Sequence, residues 1–133
     1  MSTHSNLNKA PEGYADSDLI RDYTLAWTGR GDASHSWASD ELDDIVREEP
    51  ERAWPIILSL IAASPSDQFL AVVAAGPLEN LLCDHGAAFI ERAERLASSD
   101  SQFRHALAGV WGWSRMSQEL QARLRVAIGD ERL

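Results

Sequence analysis

The chain has 133 residues, of which 44% are hydrophobic and 25% charged, and a formal net charge of −9. This length suits one domain that buries roughly two thirds of the surface its unfolded chain exposes. The single cysteine excludes an internal disulfide framework, and no apolar run approaches the roughly 20 residues that a membrane-spanning helix needs. With a polar N-terminus that lacks a signal-peptide segment, these features favour a cytoplasmic protein without a membrane partner.

The first 15 residues lack apolar periodicity and contain Pro11 and Gly13. We therefore expect residues 1–15 to form a disordered or loosely docked arm. Beyond them, apolar residues recur at the spacing of one helix face, which predicts a single helical domain over residues 16–133. The predicted helices cover about 17–27, 37–48, 50–63, 65–75, 77–86, 89–97, 99–111 and 117–128.

The helix boundaries are most explicit between residues 64 and 86. Ser64 and Asp67 have the spacing of a capping box, which predicts the start of a helix. Gly76 is predicted to end this helix, Pro77 to begin the next and Gly86 to end that one. Seven or eight short helices with short turns predict an all-α fold, either an irregular α-solenoid or an orthogonal helical bundle.

Acidic residues concentrate on the polar side of the second predicted helix. The cluster comprises Asp40, Glu41, Asp43, Asp44 and Glu48, continued by Glu49 and Glu51. Residues 1–66 carry a net charge of −7, against −2 for residues 67–133. This cluster would repel nucleic acid and attract a basic partner, although a solvated face that keeps the protein soluble would have the same composition.

Eleven of the twelve basic residues are arginine. Four of them form a basic group near the C-terminus: Arg104, Arg115, Arg123 and Arg125. Arginine makes bidentate contacts, so this group could meet an acidic partner or RNA, or pair with the protein's own acidic front half. The overall negative charge favours the internal pairing and disfavours a nucleic-acid partner.

The five tryptophans divide into two sets. Three lie at helical spacing from other apolar residues and are predicted core residues: Trp27, Trp37 and Trp54. Trp111 and Trp113 flank Gly112 and cannot both point inward from one helix face. One of them, beside Arg115, is a candidate binding anchor, and a loop that folds back and buries both is the alternative.

One close group of reactive side chains stands out: Glu79, Cys83, Asp84 and His85. Structural roles account for each, because Glu79 falls in a first helical turn and His85 in a last turn. The ligand spacing of a helical metal site is absent, as is the strand–turn–helix setting of a nucleophilic serine. We therefore assign no catalytic residue, no metal ligand and no cofactor, and keep Glu79 and His85 as a possible pocket between helices.

Four segments carry a resemblance to a bacterial family of domains of unknown function. They are Ala53-Trp54-Pro55-Ile56-Ile57, Ala74 to Leu82 with its Gly-Pro-Leu-Glu-Asn-Leu-Leu core, His85-Gly86-Ala87-Ala88-Phe89-Ile90, and Gly109-Val110-Trp111. The likeness spans about residues 37–115. It implies an all-helical fold and no specific activity, ligand or catalytic residue.

The leading functional hypothesis is a protein-interaction module that recognises a protein partner through a groove or the acidic second helix. A sharper form is an immunity or antitoxin role, in which 40–51 occupies the basic active site of a nuclease. An enzyme is the less favoured class. The alternative is a small-ligand binder or enzyme that uses Glu79 and His85 in one cavity.

Overall fold

The computed structural model describes residues 9–110 and 112–129, and this part of the chain is helical, without β-strands. Its seven α-helices are α1 (Asp16–Trp27), α2 (Trp37–Glu48), α3 (Pro50–Ala62), α4 (Asp67–Val73), α5 (Glu79–Ser99), α6 (Ser101–Ala108) and α7 (Gln118–Ile128). Two 3₁₀ turns, Ala33–His35 and Trp113–Arg115, and one π-helical turn, Ala74–Leu78, complete the regular structure. The all-α prediction is confirmed.

Several predicted boundaries agree closely with the structure. The helix predicted over residues 37–48 is α2, and the last helix begins where Ser117 accepts a hydrogen bond from the Leu120 N–H at 3.1 Å. Local capping chemistry, which a sequence displays directly, sets the start of α7, whereas Ser36 before α2 makes no side-chain cap hydrogen bond. The cap of α4 is different, because Ser66 rather than Ser64 accepts from the Phe69 N–H at 3.1 Å.

Gly76 and Pro77 do not separate two helices, so the predicted break there is wrong. The chain runs from α4 through the π-helical turn directly into α5, with Val73 and Leu78 both in the right-handed helical region. A proline inside an α-helix lacks a donor and crowds the carbonyl one turn earlier. The wider π-helical turn accommodates both defects without ending the helix.

The predicted helices around 77–86 and 89–97 both lie within α5, where a kink separates them. The kink is at His85, whose φ of −135° and ψ of 27° are not helical, one residue before the predicted stop at Gly86. Gly86 itself is buried and faces α7. A Cβ atom at this position would lie 2.5 Å from Leu120 Cδ2, so the glycine permits close packing of the two helices.

The core forms around α5. Phe89 is fully buried and its ring lies 5.5 Å from that of Trp54 on α3, measured between centroids. Helices α2, α3, α6 and α7 all contact α5, and α7 contacts it most extensively. Within residues 9–110 and 112–129, no helix has the length and apolar character required to cross a bilayer. The fold leaves two charged regions at the surface, one on α2 and one between α5 and α7.

Candidate functional site

The outer face of α2 carries most of the predicted acidic cluster. Asp40, Asp43, Asp44 and Glu48 are exposed. Arg47 lies among them and pairs with Asp44 at 2.6 Å, with Glu48 Oε2 3.6 Å away. Neither Asp40 nor Asp43 has an ion-pair partner within 4 Å among the described residues. The face is therefore negative after internal pairing is taken into account.

The remaining acids of the predicted cluster are engaged by the protein itself. Glu41 accepts a hydrogen bond of 2.6 Å from the Tyr14 hydroxyl. Glu49 lies 3.4 Å from Arg52, and Glu51 forms a two-pronged pair with Arg92 at 2.8 and 2.9 Å. These three carboxylates have structural contacts, which reduces the open acidic surface to α2 residues 40, 43, 44 and 48.

The pKa of Asp43 reflects the crowding of carboxylates on this face. Burial raises it above its ordinary value, and the neighbouring carboxylates of Asp40 and Asp44 raise it further, while Arg47 opposes them. A carboxylate whose charged form is disfavoured in the free protein gains most from an incoming cation. The geometry therefore suits a basic partner.

Trp27 lies beside this acidic face. Its side chain is 49% exposed, contrary to the prediction of a core position, and its indole N–H donates a 2.8 Å hydrogen bond to Ser39 Oγ on α2. Ser39 precedes Asp40 and lies one helical turn from Asp43. We call Trp27 together with Asp40, Asp43, Asp44 and Glu48 the α2 surface.

Sequence reasoning missed Trp27 because the spacing of Ile20, Tyr23 and Trp27 predicts a single buried stripe. The structure buries Tyr23 and leaves the last member of the stripe at the end of α1, beyond the cover of its neighbours. The other two tryptophans agree better with prediction. Trp37 is buried and donates to the Asp22 carboxylate at 2.8 Å, and Trp54 is half-buried against the core.

A cleft of about 500 Å³ lies between the first half of α5 and the N-terminal part of α7. Its charged and polar lining residues are Cys83, Asp84, His85, Arg115, Ser117, Glu119 and Arg123, and its apolar ones include Leu82, Ile90, Met116 and Leu120. We call this the α5–α7 cleft. Among the described residues, no group of three or more His, Cys, Asp or Glu side chains is arranged to hold a metal ion.

Carboxylates that lie outside the cleft lining hold both of its arginines. Arg115 pairs with Glu79 at 2.8 Å, and Arg123 makes two hydrogen bonds to Glu94, of 2.8 and 2.6 Å. The Arg123 hydrogen bonds lower the pKa of Glu94. The predicted internal pairing of the C-terminal arginines thus occurs at these two residues, with partners on α5 rather than in the acidic front half.

The two residues of the predicted pocket have different positions. His85 lines the α5–α7 cleft, whereas Glu79 lies outside its lining and acts on it through Arg115. The His85 side chain is half-buried, and its buried Nε2 atom has no hydrogen-bond partner in the part of the chain that the structure describes. Buried nitrogen atoms of this kind nearly always have partners, so this one is an exception that needs an explanation.

Cys83 is a poor nucleophile in this setting. Burial raises the pKa of its thiol, and the negative charges of Glu79 and Asp84 raise it further against the opposing effect of Arg115. The Sγ atom lies 3.5 Å from the Gly112 carbonyl oxygen, as in a weak hydrogen bond. Since the thiolate is the reactive form, the group formed by residues 79, 83, 84 and 85 does not have the chemistry of a cysteine enzyme.

The predicted anchor near the end of α6 is only partly described. Trp111 lies outside the described residues. Trp113 is half-buried, donates its indole N–H to the Val110 carbonyl at 2.8 Å and lies under the Arg125 guanidinium, 5.3 Å from the ring centroid. The alternative in which the loop buries both tryptophans stays a prediction. Arg115 is exposed and paired to Glu79.

Comparisons with known proteins identify a family and no function. A model described as a family of unknown function (DUF6869) matches residues 28–131. No curated protein and no solved structure matches the chain.

Proposed function

The chain belongs to the family of unknown function DUF6869, and from its geometry we propose that it is a cytoplasmic protein-interaction module that binds a basic partner through the α2 surface. The observation that carries this proposal is an exposed indole held against α2, where Asp40 and Asp43 lack ion-pair partners among the described residues. Aromatic side chains anchor many protein interfaces, and complementary charge around them steers the encounter.

The charge distribution supports this surface over others. Arg52, Arg92 and Arg123 are each paired to carboxylates by contacts of 2.8 Å or less, so their positive charge is satisfied within the chain. On α2, by contrast, a single arginine shares two of the carboxylates. A lysine- or arginine-rich segment of a partner would neutralise Asp40 and Asp43.

Trp27 would supply the apolar part of the contact. The indole is held by its Ser39 hydrogen bond and lies 6.3 Å from the Tyr23 ring, measured between centroids. A groove of about 450 Å³ adjoins it, lined in part by Thr24, Phe69 and Val72. A side chain with limited freedom in the free protein loses little entropy on binding.

An immunity or antitoxin role is the sharper form of the proposal. A nuclease that binds phosphate carries a basic active site, and a negative helix of this kind can occupy such a site by charge complementarity. In that role the α2 surface would act as a mimic of the nucleic-acid backbone. The general proposal requires only a basic protein partner, which need not be a nuclease.

The test is capture of partners from a lysate of the source organism by tagged protein, with recovery quantified by mass spectrometry. The bait variants are D40K/D43K, W27A and a matched charge control, E12K/E91K, whose two substituted acids are exposed and lie outside α2. We expect wild type and the control to recover the same basic proteins, D40K/D43K to lose them and W27A to weaken recovery. Binding should also fall as NaCl rises from 0.05 to 0.3 M, because salt screens exposed charges.

Equal recovery by D40K/D43K and wild type would refute the α2 surface as the binding site. Recovery of no protein above background by the wild-type bait would refute the interaction function. Thermal unfolding of each bait establishes that a loss of binding is not a loss of fold.

A further inference from the structure

We propose that the α5–α7 cleft is a binding site for a small organic cation, a primary amine with a short apolar body. This site is separate from the α2 surface, and the proposal does not depend on a protein partner. It follows from three features of the cleft: its shape, its balance of charge and the unpartnered nitrogen of His85.

The shape suits a small molecule. At about 500 Å³, the cleft lies within the range typical of ligand pockets, roughly 300 to 1,000 Å³. Its apolar side is provided by Leu82 and Ile90 from α5 and by Leu120 from α7. The close approach of the two helices at Gly86 fixes this side, so the pocket exists before a ligand arrives.

The balance of charge favours a cation over an anion. The two cleft arginines are already neutralised, Arg115 by Glu79 and Arg123 by Glu94. The two cleft carboxylates, Asp84 and Glu119, have no ion-pair partner within 4 Å among the described residues. Four carboxylates therefore face two guanidinium groups in and directly behind the cleft, an excess of two negative charges.

His85 supplies a hydrogen-bond acceptor of the required kind. A neutral imidazole can accept through an unprotonated Nε2, and an ammonium group offers three donors. The Nε2 atom has no hydrogen-bond partner within residues 9–110 and 112–129, although the side chain lines the cleft. Binding requires the ring to turn this atom toward the cleft, where it would meet the ammonium group held by Asp84 and Glu119.

The cationic class can be tested with three probes that share one carbon skeleton: 3-methylbutylamine, 3-methylbutanoate and 3-methylbutanol. Each is titrated into ¹⁵N-labelled wild-type protein at pH 7 while amide shifts are followed. We expect saturable shifts confined to residues 82–90 and 115–123 for the amine, with at least about tenfold weaker binding of the other two, the ratio that one lost charged contact gives. Equal or tighter binding of the carboxylate would overturn the cationic assignment, and absence of saturable shifts with every probe would overturn the site.

Variants assign the contacts. D84N/E119Q should weaken amine binding by about tenfold or more, because both charge contacts between the ammonium group and the cleft carboxylates are lost. The matched control is E12Q, which removes an exposed charge outside the cleft lining and should leave the affinity unchanged. Unchanged binding by folded D84N/E119Q would refute the role of these two carboxylates.

The imidazole contact has its own readout. Long-range ¹H–¹⁵N spectra of the histidine rings report directly whether Nε2 accepts a hydrogen bond. Saturation with the amine should move the His85 Nε2 resonance and leave that of exposed His105 in place. A His85 signal that stays fixed at saturating amine would refute the proposed contact.

Discussion

The α2 surface and the α5–α7 cleft contain the same kinds of charged residue, but their arginines are paired differently. On α2 the carboxylates outnumber the cations, and crowding raises the pKa of Asp43. In the cleft each arginine is matched to a carboxylate on α5, and pairing with Arg123 lowers the pKa of Glu94. The comparison shows that Glu79 and Glu94 are paired where α5 and α7 pack. Asp40 and Asp43 on α2, like Asp84 and Glu119 of the cleft, have no ion-pair partner among the described residues.

This difference has an energetic meaning. Exposed ion pairs contribute little to stability, but a carboxylate surrounded by like charges lowers it. A surface that keeps this destabilising repulsion in the free protein gains free energy when a cationic partner binds and neutralises it. Removal of the crowded Asp43 carboxylate and of the paired Glu94 carboxylate should therefore change the stability of the protein in opposite directions.

The largest change in stability is expected from a substitution at Gly86, where α5 and α7 pack closely. In G86A the new methyl group would lie 2.5 Å from Leu120 Cδ2, so Leu120 must move. Overpacking of this kind costs about 1 to 3 kcal/mol, against roughly 0.5 to 1 kcal/mol gained by replacing a helix-interior glycine with alanine. We expect a net loss of about 1 kcal/mol in the free energy of unfolding, measured by urea denaturation.

A87G is the control for helix propensity, since Ala87 is exposed on the same helix. It should lose about 0.5 to 1 kcal/mol through its backbone alone and leave the methyl resonances of Leu120 unchanged. If G86A instead raises stability, Leu120 yields without cost, and the packing argument for this glycine is wrong.

Gly86 also shows what a sequence can and cannot predict. Local chemistry gave the bounds of α2 and the cap of α7, because those signals depend on residues a few positions apart. The structure of residues 74–86 depends on distant residues, since the Leu120 side chain packs against Gly86, where a Cβ atom would lie 2.5 Å from Leu120 Cδ2. The same holds for the candidate sites: the acidic residues of α2 were evident, but the Trp27–Ser39 contact and the pairing of Arg123 with Glu94 arise only on folding.

A smaller change in stability is expected when one carboxylate is removed from the α2 surface or from the α5–α7 region, and its sign should differ between the two. D43N relieves like-charge repulsion and should raise the free energy of unfolding by about 0.3 kcal/mol. E94Q removes the negative charge and one of the two acceptor oxygens that Arg123 uses, and should lower the melting temperature. Calorimetry of the two variants side by side gives the comparison, and a shift of the same sign in both would show that the regions do not differ as argued.

The smallest and most direct contrast is expected in the titration of the Asp43 and Glu94 carboxyl groups. Because Arg123 lowers the pKa of folded Glu94, its stabilising contribution is complete above the unfolded pKa and is lost as pH falls through the folded one. Asp43 has the opposite sign: burial and its acidic neighbours raise its folded pKa, so its unfavourable contribution is complete above that pKa and disappears as pH falls below the unfolded value. Carboxyl ¹³C shifts followed from pH 7 to pH 2.5 should therefore show Asp43 taking up its proton above the ordinary aspartate pKa and Glu94 below the ordinary glutamate pKa.

The variant D40N separates the two causes of the raised Asp43 pKa. Its Asp43 titration midpoint should move to lower pH, because one of the two repelling carboxylates is gone, while the Glu94 midpoint stays in place. An unmoved Asp43 midpoint would mean that burial alone sets this pKa, and that the crowding of carboxylates, on which the argument for a basic partner depends, has no effect on it.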